Sequence, residues 1–414
     1  MSRLVGLIIF LVFIFLIDLY SYQGFKTLLP SFPLNRQVLW KRGFWILSVS
    51  GIGITGFFFV FARSSENSLL FRAVFTAVFI LFIVKLVWSI FLGIDDLIRG
   101  VQWIISLFVK NESSEGGISR KAFLVQTGGL ISASLGAALT YGVTVGSHHY
   151  KLNRQTLRLK GYSKGLDGLR LVQISDIHSG SFWNKRAVAR GVNMILDQKP
   201  DLVFFTGDLV NNKAEEFLEY EDLFGKITAP LGVYSVLGNH DYADYVPDYT
   251  PEQRAANVEK LAGSYDRMGW KLLRNEAERL EYNGANFNVI GVENWSASLR
   301  FPKYGDLNHA VENVDLKEFS LLLSHDPTHW KGQVLKEYPE IDVTFSGHTH
   351  GMQFGIETAG FKWSPVQYIY SEWAGLYEKG LQKLYVNRGF GYLGYPGRLG
   401  IRPEITVFDI EIVD

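Results

Sequence analysis

Five short, mostly apolar runs lie between residues 171 and 345, and each leads into side chains that can bind a metal ion. The first opens the stretch Leu171–His178, and the others are Leu202–Thr206, Gly232–Leu237, Phe319–Leu323 and Ile341–Phe345. Short apolar runs of this kind are typical of buried strands. The polar residues that follow them are Asp176, His178, Asp208, Asn239, His325, His348 and His350. Because sites in open α/β sheets collect beyond the carboxyl ends of the strands, the pattern predicts a metal site.

The number and type of these ligands indicate two ions. In an extended chain, residues i and i+2 point to the same face, so Asp176 and His178 can converge on one point. Seven ligands exceed what one ion takes from a protein while keeping a position open for catalysis. We therefore expect two divalent ions about 3.5–4 Å apart, with Asp208 as the bridging carboxylate. Mixed imidazole and oxygen ligands favour Mn, Fe or Zn over Ca or Mg.

Composition narrows the kind of site further. The 414 residues carry zero formal net charge and are 47% hydrophobic, so no basic excess indicates a nucleic-acid partner. Cysteine is absent. Nitrogen and oxygen atoms must therefore hold any metal, which excludes zinc sites built on thiolates.

The segments between the runs predict a largely parallel, doubly covered sheet. Helices are expected at Asn184–Gln198, Glu215–Ile227 and Pro251–Met268, alternating with the strands. Residues 279–290 read as a β-hairpin turning at Asn283-Gly284. Later strands are expected at Phe361–Trp363, Leu384–Val386 and Glu404–Val413, and they predict a second, mixed or antiparallel sheet. Residues 151–414 are long enough to form one large catalytic domain.

The first 150 residues have a different character. They contain four apolar segments, at about 4–22, 44–61, 73–92 and 122–145. Each is close to the ~20 residues that a helix needs to cross a bilayer. Four such segments cannot be one cleaved signal peptide. They predict a four-helix transmembrane region over residues 1–150, and thus a multi-pass integral membrane protein in contact with the bilayer.

Basic residues in the connectors predict the orientation. Those after the first span are Lys26, Arg36, Lys41 and Arg42, and those before the fourth are Arg99, Lys110, Arg120 and Lys121. The positive-inside rule then places the catalytic domain on the extracytoplasmic side, although Lys151, Arg154 and Arg158 favour the opposite orientation. Lys85 lies inside the third span, where we favour a structural role over a functional one, either snorkelling to the interface or pairing with Asp18.

The predicted centre suits the hydrolysis of a phosphate ester. A hydroxide that bridges two ions is a strong nucleophile near neutral pH, and the ions neutralise charge in the transition state. His240 follows a ligand directly and is placed to donate a proton to the leaving alkoxide. Asp241 is expected to orient that imidazole.

These motifs resemble a known family. Asp176-x-His178, Gly207-Asp208-x-x-Asn211, Gly238-Asn239-His240-Asp241, His325 and Gly347-His348-Thr349-His350 are similar, in order and rough spacing, to the motifs of the calcineurin-like metallophosphoesterases. The resemblance covers roughly residues 168–410. Within the family the chain looks most like the membrane-anchored branch with an N-terminal multi-span region, also in the segments Tyr385–Gly389 and Arg402–Glu404.

The resemblance carries implications for fold and ligands. It implies a four-layer α/β/β/α sandwich. It also assigns Asp176, His178, Asp208 and His350 to one ion and Asp208, Asn239, His325 and His348 to the other.

The combined expectation is a membrane-anchored binuclear phosphoesterase that hydrolyses a phosphate mono- or diester. Tethering favours a phosphorylated substrate that is a lipid or is linked to one. The alternative is a non-catalytic module that uses the same fold as a scaffold at the membrane. Among other residues, His309 and His329 are not expected to be ligands, and Asp326 is expected to be a turn or cap residue. For the aromatic group Trp363, Tyr368, Tyr370, Trp373 and Tyr377, packing is favoured over contact with lipid.

Overall fold

The computed structural model describes residues 3–61, 69–108, 120–301 and 303–413. It divides into two compact units, Met1–Tyr141 and Gly142–Asp414. The assignment of residues 142–150 to the transmembrane region stays a prediction. Lys110, which entered the orientation argument, lies outside the described residues.

The first unit is helical. Its helices are α1 (Arg3–Leu28), α2 (Leu34–Phe61), α3 (Leu69–Ser106) and α4 (Arg120–Thr144). Within the described residues, three segments are long and apolar enough to cross a membrane: Leu4–Ser31, Arg72–Ser106 and Ala122–His148. They contain the predicted first, third and fourth spans. The predicted second span lies in α2, and the side chains of its last residues are outside the described part of the chain.

A buried ion pair joins three of these helices. Lys85 Nζ of α3 lies 2.7 Å from Asp18 Oδ1 of α1. The same ammonium group donates to Ser48 Oγ of α2 at 2.7 Å. Charged side chains in apolar surroundings are stable only when paired, so the predicted pairing of Lys85 with Asp18 is confirmed.

The second unit contains two six-stranded sheets. In chain order the strands are β1 (Lys151–Lys160), β2 (Arg170–Ile174), β3 (Leu202–Phe205), β4 (Val233–Ser235), β5 (Lys271–Leu272), β6 (Glu276–Tyr282), β7 (Ala285–Gly291), β8 (Phe319–Leu323), β9 (Val343–Ser346), β10 (Ile356–Thr358), β11 (Phe361–Trp363), β12 (Gly375–Lys379), β13 (Gln382–Val386) and β14 (Glu404–Val413). The first sheet has the order β1-β14-β2-β3-β4-β5, and the second has the order β12-β13-β9-β8-β7-β6. Strands β2 to β5 are parallel, as are β13, β9, β8 and β7.

Two of the later predicted strands pair with partners that the sequence did not predict. Strand β14 lies between β1 and β2 in the first sheet rather than in the second, and β11 forms a two-stranded ribbon with β10. The hairpin of β6 and β7 is confirmed. Its turn residues Asn283 and Gly284 have φ values of 49° and 76°, the left-handed conformation that a two-residue hairpin turn requires.

The helices of the second unit are α5 (Lys185–Leu196), α6 (Glu221–Phe224), α7 (Pro251–Met268), α8 (Leu307–Ala310) and α9 (Leu335–Glu337). Helix α7 matches its prediction and begins at a capping box formed by Thr250 and Gln253. The predicted helix 215–227 is wrong in length, since only α6 and a short 3₁₀ turn at Ala214–Glu216 form. The Glu216 carboxylate accepts backbone N–H groups from the preceding loop, which holds this segment in a turn.

Alternate side chains of the strands pack on opposite faces and produce four layers. In β3, Val203 and Phe205 pack with helices α5 to α7, whereas Leu202 and Phe204 pack between the sheets. In the second sheet, Leu322 faces away from that central core, towards α8 and the turn that precedes α9. The order of layers is therefore helices, first sheet, second sheet, helices, which confirms the α/β/β/α sandwich.

Candidate metal centre

The predicted ligands follow the carboxyl ends of strands in both sheets. Strands β2, β3 and β4 lead into Asp176, His178, Asp208 and Asn239, and β8 and β9 lead into His325, His348 and His350. Five of these residues have positive φ: 50° at Asp176, 46° at His178, 61° at Asp208, 71° at His348 and 51° at His350. Non-glycine residues rarely adopt this conformation, and such strain concentrates at functional sites.

One group of possible ligands consists of Asp176, His178 and His350, whose ligand atoms all lie within 4.8 Å of one another. The Nε2 atoms of His178 and His350 are 3.0 Å apart. His350 Nε2 also lies 3.2 Å from Asp176 Oδ1. Nitrogen and carboxylate donors that converge this closely can share one cation.

A second group consists of Asp208, His325 and His348. His348 Nδ1 lies 3.3 Å from His325 Nε2 and 2.8 Å from the side-chain oxygen of Asn239. The amide group of Asn239 donates in turn to the Tyr245 hydroxyl at 2.9 Å, which turns its oxygen towards the group. Asn239 therefore completes a second set of nitrogen and oxygen donors.

Asp208 lies between the two groups. Its Oδ2 is 3.5 Å from His178 Nε2 and 3.2 Å from His325 Nε2. Its other oxygen, Oδ1, accepts the backbone N–H of His240 at 2.8 Å. The structure thus gives one carboxylate oxygen access to both groups, as a bridging ligand requires.

Hydrogen bonds at the opposite ring nitrogen orient the imidazoles. His178 Nδ1 lies 3.1 Å from the Val210 carbonyl, and His325 Nδ1 lies 2.7 Å from the Thr206 carbonyl. Each carbonyl accepts a hydrogen bond from Nδ1, so Nε2 is the ring atom of His178 and His325 that faces the ligand groups. His348 has the reverse arrangement, because its Nε2 is 2.8 Å from the Tyr370 hydroxyl. Metal-binding histidines are held in this way in other proteins.

Charge in the centre also suits a bound cation. Burial lowers the pKa of His178 and of His348, so both rings are neutral near pH 7. Burial raises the pKa of Asp176, but the neighbouring His350 outweighs it and the net shift is downward. Burial opposes protonation of His325, yet the charge of Asp208 raises its pKa to about 10. Ionised carboxylates beside buried imidazoles favour a cation at this position, and the donors present fit divalent ions.

His240 lies at the edge of the centre. Its ring packs edge-to-face against His178, with centroids 5.0 Å apart, and lies against Tyr245 at 4.6 Å. Its Nδ1 is 2.7 Å from the Asn211 carbonyl. The ring is therefore fixed beside the ligands, and its Nε2 is left for another partner.

The role predicted for Asp241 needs correction. Its carboxylate does not contact the His240 ring but accepts backbone N–H groups from Asp208 at 2.9 Å, Leu209 at 2.8 Å and Gly238 at 2.9 Å. The tight turn from Gly238 points this side chain into the loop instead of towards its neighbour. Asp241 holds together the two loops that carry ligands, and the Asn211 carbonyl orients His240.

His309, His329 and Asp326 belong to neither ligand group. His309 is exposed and lies near Glu312. His329 is buried between Ser324 and Gln333, with which its ring nitrogens bond. Asp326 accepts the backbone N–H of Thr328 at 2.8 Å, as expected of a turn residue.

The aromatic group predicted to pack divides into different environments. Trp373 is buried in a small core, but Tyr368 is 77% exposed. Tyr370 contacts His348 and was not predicted as a site residue. Phe301 was also missed, and its ring lies 4.9 Å from that of His348. The strand-end pattern identifies neither as a site residue, because both come from loops remote from those motifs.

Comparisons with known proteins agree with this geometry. A family model for the calcineurin-like phosphoesterases matches residues 169–352. A second model, for the transmembrane domain of calcineurin-like phosphoesterases, matches residues 2–147. The chain belongs to the calcineurin-like metallophosphoesterases. It is thus a metal-dependent hydrolase of ester bonds and an integral membrane protein, and the family fold implies divalent metal ions.

Relatives of this metallophosphoesterase occur in several bacteria. The metallophosphoesterase YkuE of Bacillus subtilis is 29% identical over 71% of this chain and 98% of its own length. The UDP-2,3-diacylglucosamine pyrophosphatase LpxG of Chlamydia muridarum is 29% identical over 58% of this chain and 83% of its own length. The phosphodiesterase YaeI of Escherichia coli is 25% identical over 71% of this chain and 99% of its own length.

Proposed function

We propose that the chain hydrolyses a phosphate ester of a lipid or lipid-linked molecule at a two-ion centre. The proposed ligands are Asp176, His178, Asp208, Asn239, His325, His348 and His350, and the proposed ions are Mn, Fe or Zn. The observation that carries the proposal is the position of Asp208, whose Oδ2 faces His178 in one group and His325 in the other. A bridging carboxylate of this kind is typical of two-metal hydrolases.

The chain's own residues supply orientation and a proton. Bound divalent ions would lower the pKa of water and neutralise charge on the phosphoryl oxygens. His240 has its Nδ1 occupied by the Asn211 carbonyl, so its Nε2 is the atom that protonates the departing alkoxide. Asp241 keeps the loops of Asp208 and Asn239 in register through backbone N–H bonds. Tyr370 holds His348 with Nδ1 towards the centre.

Two observations support a phosphorylated lipid as the substrate class. The chain has a transmembrane region, which keeps the catalytic domain close to a bilayer. Among its relatives, LpxG is named for a diacylated sugar nucleotide and YaeI for a phosphodiester. We therefore place this chain's substrate among the phosphodiesters and pyrophosphates that carry acyl chains.

Metal analysis and a generic substrate test the centre. The full-length protein in nanodiscs should bind two ions and hydrolyse bis-p-nitrophenyl phosphate, with activity lost on chelation and restored by manganese. Asp208→Ala should lose both ions and activity, whereas Asp222→Ala, on the exposed surface of α6, should keep both. Retention of two ions by Asp208→Ala would refute the shared ligand. A wild-type protein that binds two ions and hydrolyses no phosphate ester would favour the scaffold alternative.

The proposed orientation places the catalytic domain on the extracytoplasmic side. The absence of native cysteine makes single-cysteine labelling unambiguous. We expect Leu381→Cys, at an 84% exposed position of the catalytic unit, to react with an impermeant maleimide in intact cells. Asn35→Cys, in the connector after the first span, should react only after the cells are broken. The reverse pattern would place the catalytic domain in the cytoplasm.

A further inference from the structure

A cavity of about 240 Å³ lies beside the second ligand group. Its lining includes Ala297, Pro327, Thr328, Gly332, Ile369 and Tyr370. Apolar surface exceeds polar surface in the cavity, and the remaining lining residues are Lys331, Ser371 and Glu372. The cavity can hold a short alkyl segment and is too small for a whole lipid.

Tyr370 connects this cavity to the metal centre. Its hydroxyl lies 2.8 Å from Nε2 of the candidate ligand His348, and the residue also lines the cavity. Tyr370 is therefore shared by the cavity wall and the surroundings of the second ligand group.

The polar side of the cavity does not offer a site for a second phosphate. Lys331 is the cationic residue of the lining, and its ammonium group is paired with the Glu372 carboxylate and donates to Ser371 Oγ. Its charge is thus already neutralised. At the apolar side, Ile369 lines the cavity and is itself 65% exposed. An exposed aliphatic wall with a neutralised polar edge favours a hydrocarbon ligand.

We propose that this cavity binds the alkyl segment next to the phosphate of the substrate. The inference rests on the proposed function for its substrate class and adds the residues that recognise the hydrocarbon. Tyr370 thereby has two contacts, the His348 imidazole through its hydroxyl and the alkyl segment through its ring.

A chain-length series tests the proposal. The substrates are methyl, butyl and hexyl p-nitrophenyl phosphodiesters, assayed with the full-length protein in nanodiscs. Each methylene that enters the cavity should raise kcat/KM roughly three- to fourfold, so the hexyl ester should exceed the methyl ester by at least tenfold. Ile369→Asn and Ala297→Phe, which make the wall polar and fill the space, should each reduce the hexyl-to-methyl ratio of kcat/KM at least threefold.

Leu381→Asn is the matched control, since it also exposes a polar group in place of an exposed aliphatic side chain. Leu381 precedes β13, so it lies at the end of the second sheet opposite the metal centre, about 16 Å away at ~3.3 Å per residue. It should keep the full chain-length dependence. The cavity assignment would be overturned if Leu381→Asn and Ile369→Asn lost the preference for the hexyl ester equally. It would also be overturned if kcat/KM of the wild type did not depend on chain length.

A binding measurement separates this proposal from the proposed function. Hexyl phosphonate should bind the manganese-loaded protein at least tenfold more tightly than methyl phosphonate in calorimetry, and Ile369→Asn should remove most of that difference. This comparison needs no turnover. Hydrolysis of the methyl ester with equal phosphonate affinities would refute the cavity and keep the phosphoesterase, whereas chain-dependent binding without hydrolysis would refute the phosphoesterase alone.

Discussion

The carboxylate of Asp241 accepts the backbone N–H of Asp208 at 2.9 Å, across two loops that end different strands. The same carboxylate also accepts N–H groups from Leu209 and Gly238. Removing it would leave several buried donors without a partner, each at a cost of about 1–3 kcal/mol. We therefore expect Asp241→Ala to lower the unfolding temperature and to abolish metal binding.

The control for this prediction is Asp222→Ala, which removes an exposed carboxylate from α6. Its unfolding temperature should change little. A folded Asp241→Ala protein that binds both ions with normal affinity would show that the Asp241 carboxylate is not needed to hold the two ligand loops together.

His240→Ala should separate chemistry from metal binding. Its imidazole is fixed by the Asn211 carbonyl and contacts the His178 ring, but it is not a member of either ligand group. Loss of a general acid typically costs 10²–10⁴ in rate. We expect turnover of an alkyl phosphodiester to fall by about that factor, while metal analysis still finds both ions. The loss should be smaller for a p-nitrophenyl leaving group, which departs without protonation, and His309→Ala should behave as wild type.

Tyr370→Phe removes the hydroxyl that contacts His348 Nε2 and keeps the ring. Loss of a hydrogen bond to a metal-binding histidine typically weakens metal affinity or activity by about 10–100-fold. We expect chelator competition to show that weakening for one of the two ions only. The preference for hexyl esters should persist, because the aromatic wall of the cavity is retained. Tyr368→Phe alters an exposed hydroxyl of the same segment and should change neither quantity.

The ligands of the centre could be predicted because their placement depends on short-range rules. The positions of the strand ends were enough to bring Asp176 and His178 together with ligands from both sheets. The i, i+2 argument does not apply to this pair, because both residues have positive φ and lie beyond the end of β2. The role of Asp241 could not be predicted in this way, since one bend at Gly238 decides whether its carboxylate faces His240 or the backbone. Tyr370 could not be found because its contact with His348 depends on how a loop folds back after the strand motifs.

The fold shows the same division between local and long-range information. Helix α7 was predicted with its limits because proline, a capping box and glycine mark its ends. The segment 215–227 has helical spacing, yet buried aromatic side chains and the Glu216 carboxylate hold most of it in turns. The insertion of β14 between β1 and β2 depends on pairing between residues about 250 apart, which local patterns do not encode.

Glu404 makes the stability of the catalytic unit depend on pH. It is fully buried, and its carboxylate lies 2.7 Å from Nη1 of Arg388. Burial alone would raise the pKa of Glu404, but Arg388 and the hydroxyl of Thr406 lower it to about 2. The folded-state pKa is below the ordinary value of 4.5, so the stabilisation is complete above pH 4.5 and is lost as pH falls towards 2. At 1.36 kcal/mol per pKa unit it amounts to about 3 kcal/mol.

Glu404→Gln should remove this pH dependence. Among the described residues it would also leave buried Arg388 with Glu357 as its remaining carboxylate partner, so we expect a loss of about 3–5 kcal/mol at pH 7. The measurement is urea unfolding of the full-length protein from pH 3 to pH 7. Glu411→Gln on the same strand breaks an exposed pair with Arg158 and should cost under about 1 kcal/mol. Parallel pH curves for wild type and Glu404→Gln would contradict the assignment.

We expect the pair of Lys85 and Asp18 to be required for the stability of the helical unit but not for hydrolysis of a phosphodiester. Asp18→Ala leaves the Lys85 ammonium with Ser48 as its polar partner at 2.7 Å, in apolar surroundings where an uncompensated charge costs about 2.5–3.5 kcal/mol. We expect less protein in the membrane and faster unfolding in detergent. The double variant Asp18→Ala/Lys85→Met should recover most of the loss, because neither charge remains. If the double variant is fully stable yet inactive on a soluble phosphodiester, the pair has a functional role instead of the structural one.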